Sequence, residues 1–152
     1  MLTGLSSAFG EELIVDNAER ALAYACDETD AEVTEYTAAP VFMDGRGKCR
    51  HQWLIEFARQ PDDDGRFARL LDKRLQELNS DYEAKRFKDI TLQHLEVVRA
   101  RQGLFNDWLR VKGKLGGQHK IPRLSNSRDI IDQLLRMNST AAKHETTTNE
   151  TI

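Results

Sequence analysis

The sequence predicts an α+β fold: a small, mostly antiparallel sheet of three to four strands, flanked by about four helices. Three observations support this prediction. Apolar residues recur at helical spacing in several segments, two β-rich segments flank a glycine-bearing turn, and 152 residues suffice for one hydrophobic core. The predicted order is α-β-β-α-β-α-(β)-α, and neither an internal repeat nor a second folded domain is visible.

The first part of the chain predicts a helix followed by a β-hairpin. Residues 10–28 carry an apolar stripe at 3.6-residue spacing. "AEVTEYTAAPVFM" (31–43) and "HQWLIEFA" (51–58) are rich in β-branched and aromatic residues, and "DGRGK" (44–48) between them supplies hairpin glycines. Pro40 favours a bend or an edge position in the first strand. The helical stripe consists of Ile14, Ala18, Ala21, Leu22 and Ala25.

The middle of the chain predicts a second helix and a third strand. The aspartates of "PDDDG" (61–65) are suited to cap a helix over residues 66–79, which buries Phe67, Leu70, Leu71, Leu75 and Leu78. "NSDYEAKR" (79–86) either continues or breaks that helix, and the sequence leaves both possibilities open. "ITLQHLEVV" (90–98) predicts the third strand.

The last part predicts two helices separated by a basic loop. Gly103 opens a short helix over residues 104–111, and "PRLSN" (122–126) is a candidate fourth strand. Ser127 is placed to cap a final helix. The remaining residues, 138–152, are polar and predict a disordered tail. The expected buried residues are Leu104, Phe105, Trp108 and Leu109 in the first of these helices and Ile130, Ile131, Leu134 and Leu135 in the second.

Composition excludes several classes of protein. The hydrophobic content is 39% and the charged content 31%, as in soluble globular proteins. No apolar run is long enough to span a membrane, and the N-terminus lacks the features of a secretory signal. Cys26 and Cys49 have no metal-ligand spacing, so we expect two reduced, structural thiols in a cytoplasmic protein.

Charge is unevenly distributed along the chain. Residues 1–60 hold 11 acidic and five basic side chains, whereas residues 99–128 hold eight basic side chains and one acidic side chain. A basic segment of this kind favours an anionic partner. It is equally compatible with a solvated surface, so the interpretation depends on the loop within it.

That loop, "KLGGQHKIPR" (114–123), combines a flexible entry with a stiff exit. Gly116 and Gly117 permit backbone angles and close approaches that other residues forbid. Pro122 restricts the residue before it to extended conformations, so Lys120 lies between the two. The segment is neither a Walker loop nor a dinucleotide-binding glycine motif. The arrangement suits a mobile arm that carries a cation into another region's site.

No Ser-His-Asp or Cys-His spacing can be read from the sequence, because such groups are distant in sequence. The four histidines, His51, His94, His119 and His144, show no metal-ligand spacing, so no metal site is expected. His51 and His94 fall in predicted strands and favour structural roles, while His119 borders the loop. Trp53, Phe57, Phe105 and Trp108 match core periodicity and are expected to be buried.

Five segments together carry a family resemblance: "FGEEL", "YTAAPVFM", "HQWLIEF", "LNSDYEAKR" and "GKLGGQHKIPRLSN". In this order they resemble the C-terminal part of bacterial members of the Gretchen Hagen three family. These acyl acid-amido synthetases are known in plants for conjugating auxin and jasmonate to amino acids. The resemblance covers about residues 8–136, and its most specific segments are the last two.

The resemblance implies that two domains have different roles in the reaction. In adenylate-forming enzymes a large N-terminal domain binds ATP with magnesium and the carboxylic acid, and a small C-terminal domain closes over it. An acyl-adenylate and pyrophosphate form first, and an amine then attacks. A lysine on a glycine-bearing loop reaches the acyl-phosphate region, and Lys120 matches it. The resemblance makes Gly116, Gly117, Gln118, His119 and Arg123 candidates for contacts with substrate or nucleotide, and Arg123 either holds the loop or contacts phosphate.

The resemblance also implies what this chain lacks. No ATP-binding motif is present, so we expect residues 1–9 to be a hinge remnant, residues 10–137 the small domain, and the chain alone to be inactive. It is then a recombinant fragment, a truncated gene product or half of a split enzyme, and its partners are the large domain and small carboxylic acid and amine substrates. No membrane or nucleic-acid partner is expected.

An alternative from another class is an autonomous α/β module that binds RNA or another polyanion through the basic segment 99–128. Such modules expose aromatic residues beside the basic ones, whereas Phe105 and Trp108 fit a buried helix face. The roles of Asn79, Tyr82 and Arg86 stay open between lining the acceptor path and packing a helix end.

Overall fold

The computed structural model describes residues 14–43, 48–89, 91–114 and 120–150. Within these residues there are five α-helices: α1 (Val15–Thr29), α2 (Asp64–Leu78), α3 (Ser80–Arg86), α4 (Leu104–Lys114) and α5 (Asp129–Glu150). The strands are β1 (Glu32–Met43), β2 (Lys48–Arg59) and β3 (Leu92–Arg99), and a 3-10 turn (Phe87–Asp89) follows α3. The predicted α+β fold and its element order are confirmed, with one more helix than expected.

The sheet has the order β1-β2-β3. β1 and β2 pair antiparallel, with Tyr36 opposite Ile55, as the predicted hairpin requires. β3 pairs with β2 in the parallel sense. The chain between them runs through α2 and α3, and a long helical crossover of this kind is what parallel neighbours need. The candidate strand at 122–126 is reduced to one isolated parallel bridge between Ala38 and Leu124.

The central strand β2 is buried on both faces, so the domain has a core on each side of the sheet. Trp53, Ile55 and Phe57 face α1 and α2, while Leu54 faces α4 and α5. Trp53 stacks on Tyr36 with ring centroids 5.7 Å apart. The predicted core aromatics are therefore core residues. They are Trp53, Phe57, Phe105 and Trp108.

Helix α1 begins five residues later than the sequence predicted. Val15 is its first residue, and Ile14, placed on the buried stripe from spacing alone, is 54% exposed. The reason is local, because the side-chain oxygen of Asn17 accepts the backbone N–H of Ile14 at 3.2 Å and fixes the helix start there. The rest of the stripe, from Ala18 to Ala25, is buried as predicted. Residues 1–13 lie outside the described residues.

The sequence left open whether residues 79–86 continue the second helix or break it, and the structure shows a break between α2 and α3. Asp63 caps α2, as predicted, by accepting the N–H of Arg66 at 3.1 Å. Asn79 then adopts an extended backbone and accepts the N–H of Tyr82 at 2.8 Å. Residues 79–86 thus start a new helix and do not continue the old one. Of the five residues expected to be buried, Leu70 and Leu78 are only partly covered.

A buried carboxylate on β2 defines the start of α4. Glu56, 5% exposed, accepts the backbone N–H groups of Gly103 at 3.0 Å and Phe105 at 3.4 Å. Gly103 has a φ of +83°, a conformation that favours glycine. The strand and the helix are therefore joined by a charge-assisted cap.

Helix α5 continues beyond the residues that pack on the sheet. Ser127 Oγ accepts the N–H of Asp129 at 3.1 Å, so the expected cap is present. We predicted a disordered tail from residue 138, whereas α5 extends to Glu150. Asn138 bonds the N–H of Arg101 at 2.9 Å and the carbonyl of Arg99 at 3.1 Å. Once a helix is held this far, each further residue adds a backbone hydrogen bond without a new nucleation cost.

None of the helices in the described part of the chain is both long enough and apolar enough to cross a lipid bilayer.

Candidate functional site

Residues 122–125 lie along the outer edge of β1. The hydroxyl of Thr37 donates to the carbonyl of Pro122 at 2.7 Å. The N–H of Ala38 donates to the carbonyl of Arg123 at 2.9 Å, and the N–H of Ser125 donates to the carbonyl of Ala38 at 3.0 Å. These three bonds occupy an otherwise open strand edge. They also fix the position of the chain immediately after the basic loop.

Lys120 lies just before this fixed stretch. Its Cα is two residues from Pro122 and so within about 7 Å of it. The side chain is exposed and lines a cavity of about 520 Å³.

The cavity is a groove between α4, β1 and the segment 120–123. Its apolar lining comes from Phe105 and Leu109 on α4 and from Ile121 and Pro122, and its charged lining from Glu35, Lys120 and Arg123. An apolar floor with a few charged groups at its edge is the common composition of small-molecule sites. The groove can therefore accept an organic anion or the edge of a larger active site.

Arg123 has two partners on β1. Its Nη1 donates to Oε1 of Glu35, and its guanidinium carbon lies 4.9 Å from the centroid of the Tyr36 ring. Tyr36 is in turn held by a hydrogen bond from its hydroxyl to Glu19 on α1. Burial and this carboxylate raise the pKa of Tyr36 far above its ordinary value, so the phenol stays protonated. Of the two roles left open for Arg123, these contacts favour holding the loop.

The fold and the groove can now be compared with known proteins. A family model described as the GH3 family C-terminal domain matches residues 16–129, most of the chain. The chain belongs to the GH3 family. No curated protein is similar enough to this sequence to count as a match.

Solved structures agree with this GH3 assignment at the level of fold. One is a "GH3.15 acyl acid amido synthetase", with a TM-score of 0.62 and 16% identity over 81% of this chain and 24% of that chain. Another is "AtGH3.15 acyl acid amido synthetase in complex with 2,4-DB", with a TM-score of 0.62 and 15% identity over 81% of this chain and 23% of that one. The GH3 domain thus spans about a quarter of the length of these proteins.

Four of the predicted site residues of the GH3 domain cannot be placed. They are Gly116, Gly117, Gln118 and His119, which belong to the segment 115–119 outside the described residues. Of the candidate set, the structure brings together Lys120 and Arg123 at one groove.

The arginines of the basic segment 99–128 are paired within the domain. Its five arginines all form ion pairs with carboxylates, and Asp107 serves two of them. Lys112 lies 5.8 Å from the centroid of the Trp108 ring. A surface for a polyanion needs cations that are available to phosphates, so this pairing weakens the polyanion interpretation. The pairs are Arg99–Asp64, Arg101–Asp107, Arg110–Asp107, Arg123–Glu35 and Arg128–Asp132.

The motif around Asn79, Tyr82 and Arg86 forms a buried network around Asp72. The hydroxyl of Tyr82 donates to Asp72 at 2.6 Å, and Arg86 donates from Nε and Nη2 at 2.8–3.1 Å. Burial raises the pKa of Asp72, but the hydrogen bonds from Arg86 and Tyr82 outweigh it and hold the pKa below 3.8. Burial and Asp72 raise the pKa of Tyr82 well above 10. These contacts assign the motif to helix packing.

The remaining titratable groups show no second reactive centre among the described residues. Cys26 and Cys49 are free thiols, as expected, and burial raises the pKa of both. A raised pKa makes a thiol less nucleophilic at neutral pH. In the described ranges no three His, Cys, Asp or Glu side chains are grouped to hold a metal ion.

Sequence reasoning missed Glu35 and Tyr36 as members of the site. Both belong to β1, far from the loop in sequence, and they meet Arg123 only because the segment 122–125 adds to the sheet edge. The available signal was the presence of acidic residues in a strand rich in β-branched and aromatic residues, and that signal does not identify a partner.

Proposed function

We propose that this chain is the mobile C-terminal domain of an ATP-dependent acyl acid-amido synthetase and supplies Lys120 to adenylation. Membership of the GH3 family gives the reaction class, and the exposed position of Lys120 at the groove is the observation that carries the residue assignment. The domain closes over a large N-terminal domain that binds ATP and the carboxylic acid. An amine then attacks the acyl-adenylate at its acyl carbon, which forms the amide and releases AMP.

The chemistry explains why an ammonium group is useful at this point. The substrate carboxylate attacks the α-phosphorus of ATP, and negative charge gathers on the phosphoryl oxygens before pyrophosphate leaves. A preplaced cation stabilises this charge more than it stabilises the ground state. At about 4 Å and an effective dielectric constant near 20, one ion pair contributes roughly 4 kcal/mol before desolvation costs.

The described residues also suit a division of labour for ATP. Lys120 is an exposed cation at the groove. ATP with magnesium would be held mainly by the large domain, where it would supply the phosphorus that the carboxylate attacks, and Lys120 would add a positive charge to that site.

The alternative is a polyanion-binding module built on the basic segment. Its support is the charge distribution along the sequence. The ion pairs of the five arginines and the burial of Phe105 and Trp108 remove most of the groups that such a surface would use. We therefore favour the adenylating enzyme.

The test is the exchange of labelled pyrophosphate into ATP by the enzyme that unites this domain with its large domain. A carboxylic acid that supports exchange is first selected from a panel of carboxylic acids, tested together with 2,4-DB because a related protein has been solved in complex with that compound. Lys120→Ala should then lower the exchange rate about 10²- to 10³-fold, as expected for the loss of one preorganised charge. Its thermal unfolding midpoint should match the unaltered enzyme.

Lys73→Ala provides the control, because Lys73 is an exposed lysine on α2, a helix that packs on the opposite face of the sheet. This variant should exchange at the unaltered rate. If Lys120→Ala did the same, the role assigned to Lys120 would be wrong.

A further inference from the structure

The position of Lys120 depends on what holds the chain directly after it. The Thr37 hydroxyl and the Ala38 N–H donate to the carbonyls of residues 122 and 123 and hold them along β1. Both bonds end on carbonyl groups of the segment, so they fix its path but place none of its side chains. A contact made by a side chain of the segment itself adds that restraint.

The Arg123 side chain makes such a contact on both sides of the strand edge. Glu35 and Tyr36 are consecutive residues of β1, so their side chains point to opposite faces of the sheet. Arg123 bonds the carboxylate of Glu35 and also covers the ring of Tyr36. The guanidinium therefore contacts side chains on both faces at the edge of β1. Glu35 and Arg123 also line the groove together with Lys120.

We propose that Glu35 is a positioning residue for the adenylation step, acting through Arg123 to keep the Lys120 ammonium in place. The proposal rests on the function proposed above. It assigns a role in catalysis to a strand residue 85 positions before the lysine in the sequence. Glu35 also keeps the Arg123 charge occupied, so that the arginine does not compete with Lys120 for the same anionic group.

Substitution of Glu35 or Arg123 should lower the rate of exchange strongly but the stability of the domain only slightly. The Arg123 and Glu35 side chains are 38% and 45% exposed, and ion pairs exposed to this degree contribute little to stability. A displacement of about 1 Å of a catalytic group can cost up to 10²-fold in rate. A large loss of rate with almost no loss of stability therefore separates a positioning role from a merely structural one.

The experiment is a double-mutant cycle in the complete enzyme, using pyrophosphate exchange with the selected acid. Glu35→Gln and Arg123→Gln should each lower the maximal exchange rate about tenfold, within the loss of up to 10²-fold that a displaced catalytic group can cause. The KM for ATP should stay unchanged, because the nucleotide binds mainly elsewhere. The double variant should be no slower than the slower single variant, since both changes release the same contact. Thermal unfolding midpoints should stay within the error of the unaltered enzyme.

The domain contains a closely matched control. Arg74 pairs with Glu77 on α2, with exposures of 40% and 47%, and lies 4.4 Å from the centroid of the Tyr24 ring. Like Arg123, Arg74 pairs with a glutamate and lies over a tyrosine ring, but none of Arg74, Glu77 and Tyr24 lines the groove. Glu77→Gln should therefore leave the exchange rate and KM unchanged.

The outcomes distinguish this inference from the proposed function. If Lys120→Ala abolishes exchange while Glu35→Gln and Arg123→Gln exchange normally, the positioning role is wrong and the function stands. If the two single losses multiply in the double variant, Glu35 does not act through Arg123. If Lys120→Ala exchanges normally, the role that the proposed function assigns to Lys120 is wrong, and the positioning role of Glu35 is wrong with it.

Discussion

At the residue scale, the Asp72 carboxylate explains why α2, α3 and the start of β3 stay together. Its side chain is 3% exposed and that of Arg86 10% exposed, so the ion pair is buried. Arg86 also donates to the carbonyl of Leu92 at 3.3 Å, and His94 Nε2 lies 4.0 Å from Asp72. Removing one member leaves the other charge buried without its counter-ion, which is the costly way to break such a pair.

Asp72→Asn should lower the free energy of unfolding at neutral pH by about 3 kcal/mol, at the lower end for a broken buried pair because asparagine keeps one acceptor oxygen. Arg86 and Tyr82 hold the pKa of Asp72 below 3.8 in the folded state against the effect of burial. The contribution of the carboxylate is therefore complete above its ordinary pKa and is lost as the pH falls through the lowered folded value. Urea unfolding should show a smaller difference between variant and unaltered domain at about pH 3 than at about pH 7.

Asp64→Asn is the matched control, because Asp64 on the same helix pairs with Arg99 while both side chains are about half exposed. Exposed pairs contribute about 0–1 kcal/mol. Equal losses for the two variants would show that the Asp72 network is not a special stabilising element.

The site could be predicted only in part from single residues. Lys120 was predicted as a site residue because glycines and a proline flank it, which free or restrict the backbone in known ways, and because it matches the lysine of the family resemblance. The contact of Glu35 with Arg123 was not predicted, because no local pattern records that β1 will receive an extra segment along its edge. The network of Asn79, Tyr82 and Arg86 was recognised as a cluster, but only the position of Asp72 decides that it packs helices.

At the element scale, two glycines at the ends of α4 have opposite expected roles. Gly103 has a φ of +83°, which strains any residue with a Cβ, although a Cβ there would meet nothing within 4 Å. Gly113 lies inside α4, and a Cβ there would also meet nothing within 4 Å. Backbone conformation alone therefore separates the two positions.

Gly103→Ala should destabilise the domain by about 1 kcal/mol, because alanine pays for a left-handed backbone that glycine adopts freely. Gly113→Ala should instead stabilise it, by up to about 1 kcal/mol, through the higher helix propensity of alanine. Thermal or urea unfolding of the two variants gives the measurement. Shifts of the same sign would contradict the assigned backbone conformations.

The sequence predicted whether a segment is a helix or a strand where its hydrophobic periodicity is strong. It did not predict how β3 pairs within the sheet. The hairpin of β1 and β2 followed from alternating residues around a glycine-bearing turn, and α2 and α4 followed from their apolar stripes. The parallel pairing of β3 depends on how the α2–α3 crossover packs, which is a tertiary property. The early start predicted for α1 and the end predicted at residue 137 for α5 failed because Asn17 and Asn138 fix those regions through contacts that spacing does not encode.

At the scale of the whole molecule, the sheet separates two packed faces, and the groove opens on one of them. α1, α2 and the Asp72 network fill one face. The other face carries α4 and α5, and the groove with Lys120 opens beside α4. The two cores hold the sheet between them, and the groove is built from its edge strand β1, helix α4 and the docked segment 120–123.

The most direct test of this account compares the two half-reactions in Lys120→Ala. Acyl-adenylate formation is measured in a single turnover, and amide formation is measured after the same acyl-adenylate is supplied preformed with the amine. The account predicts that the first rate falls about 10²- to 10³-fold while the second stays at the unaltered value. Equal losses in both half-reactions, or no loss in the first, would contradict it.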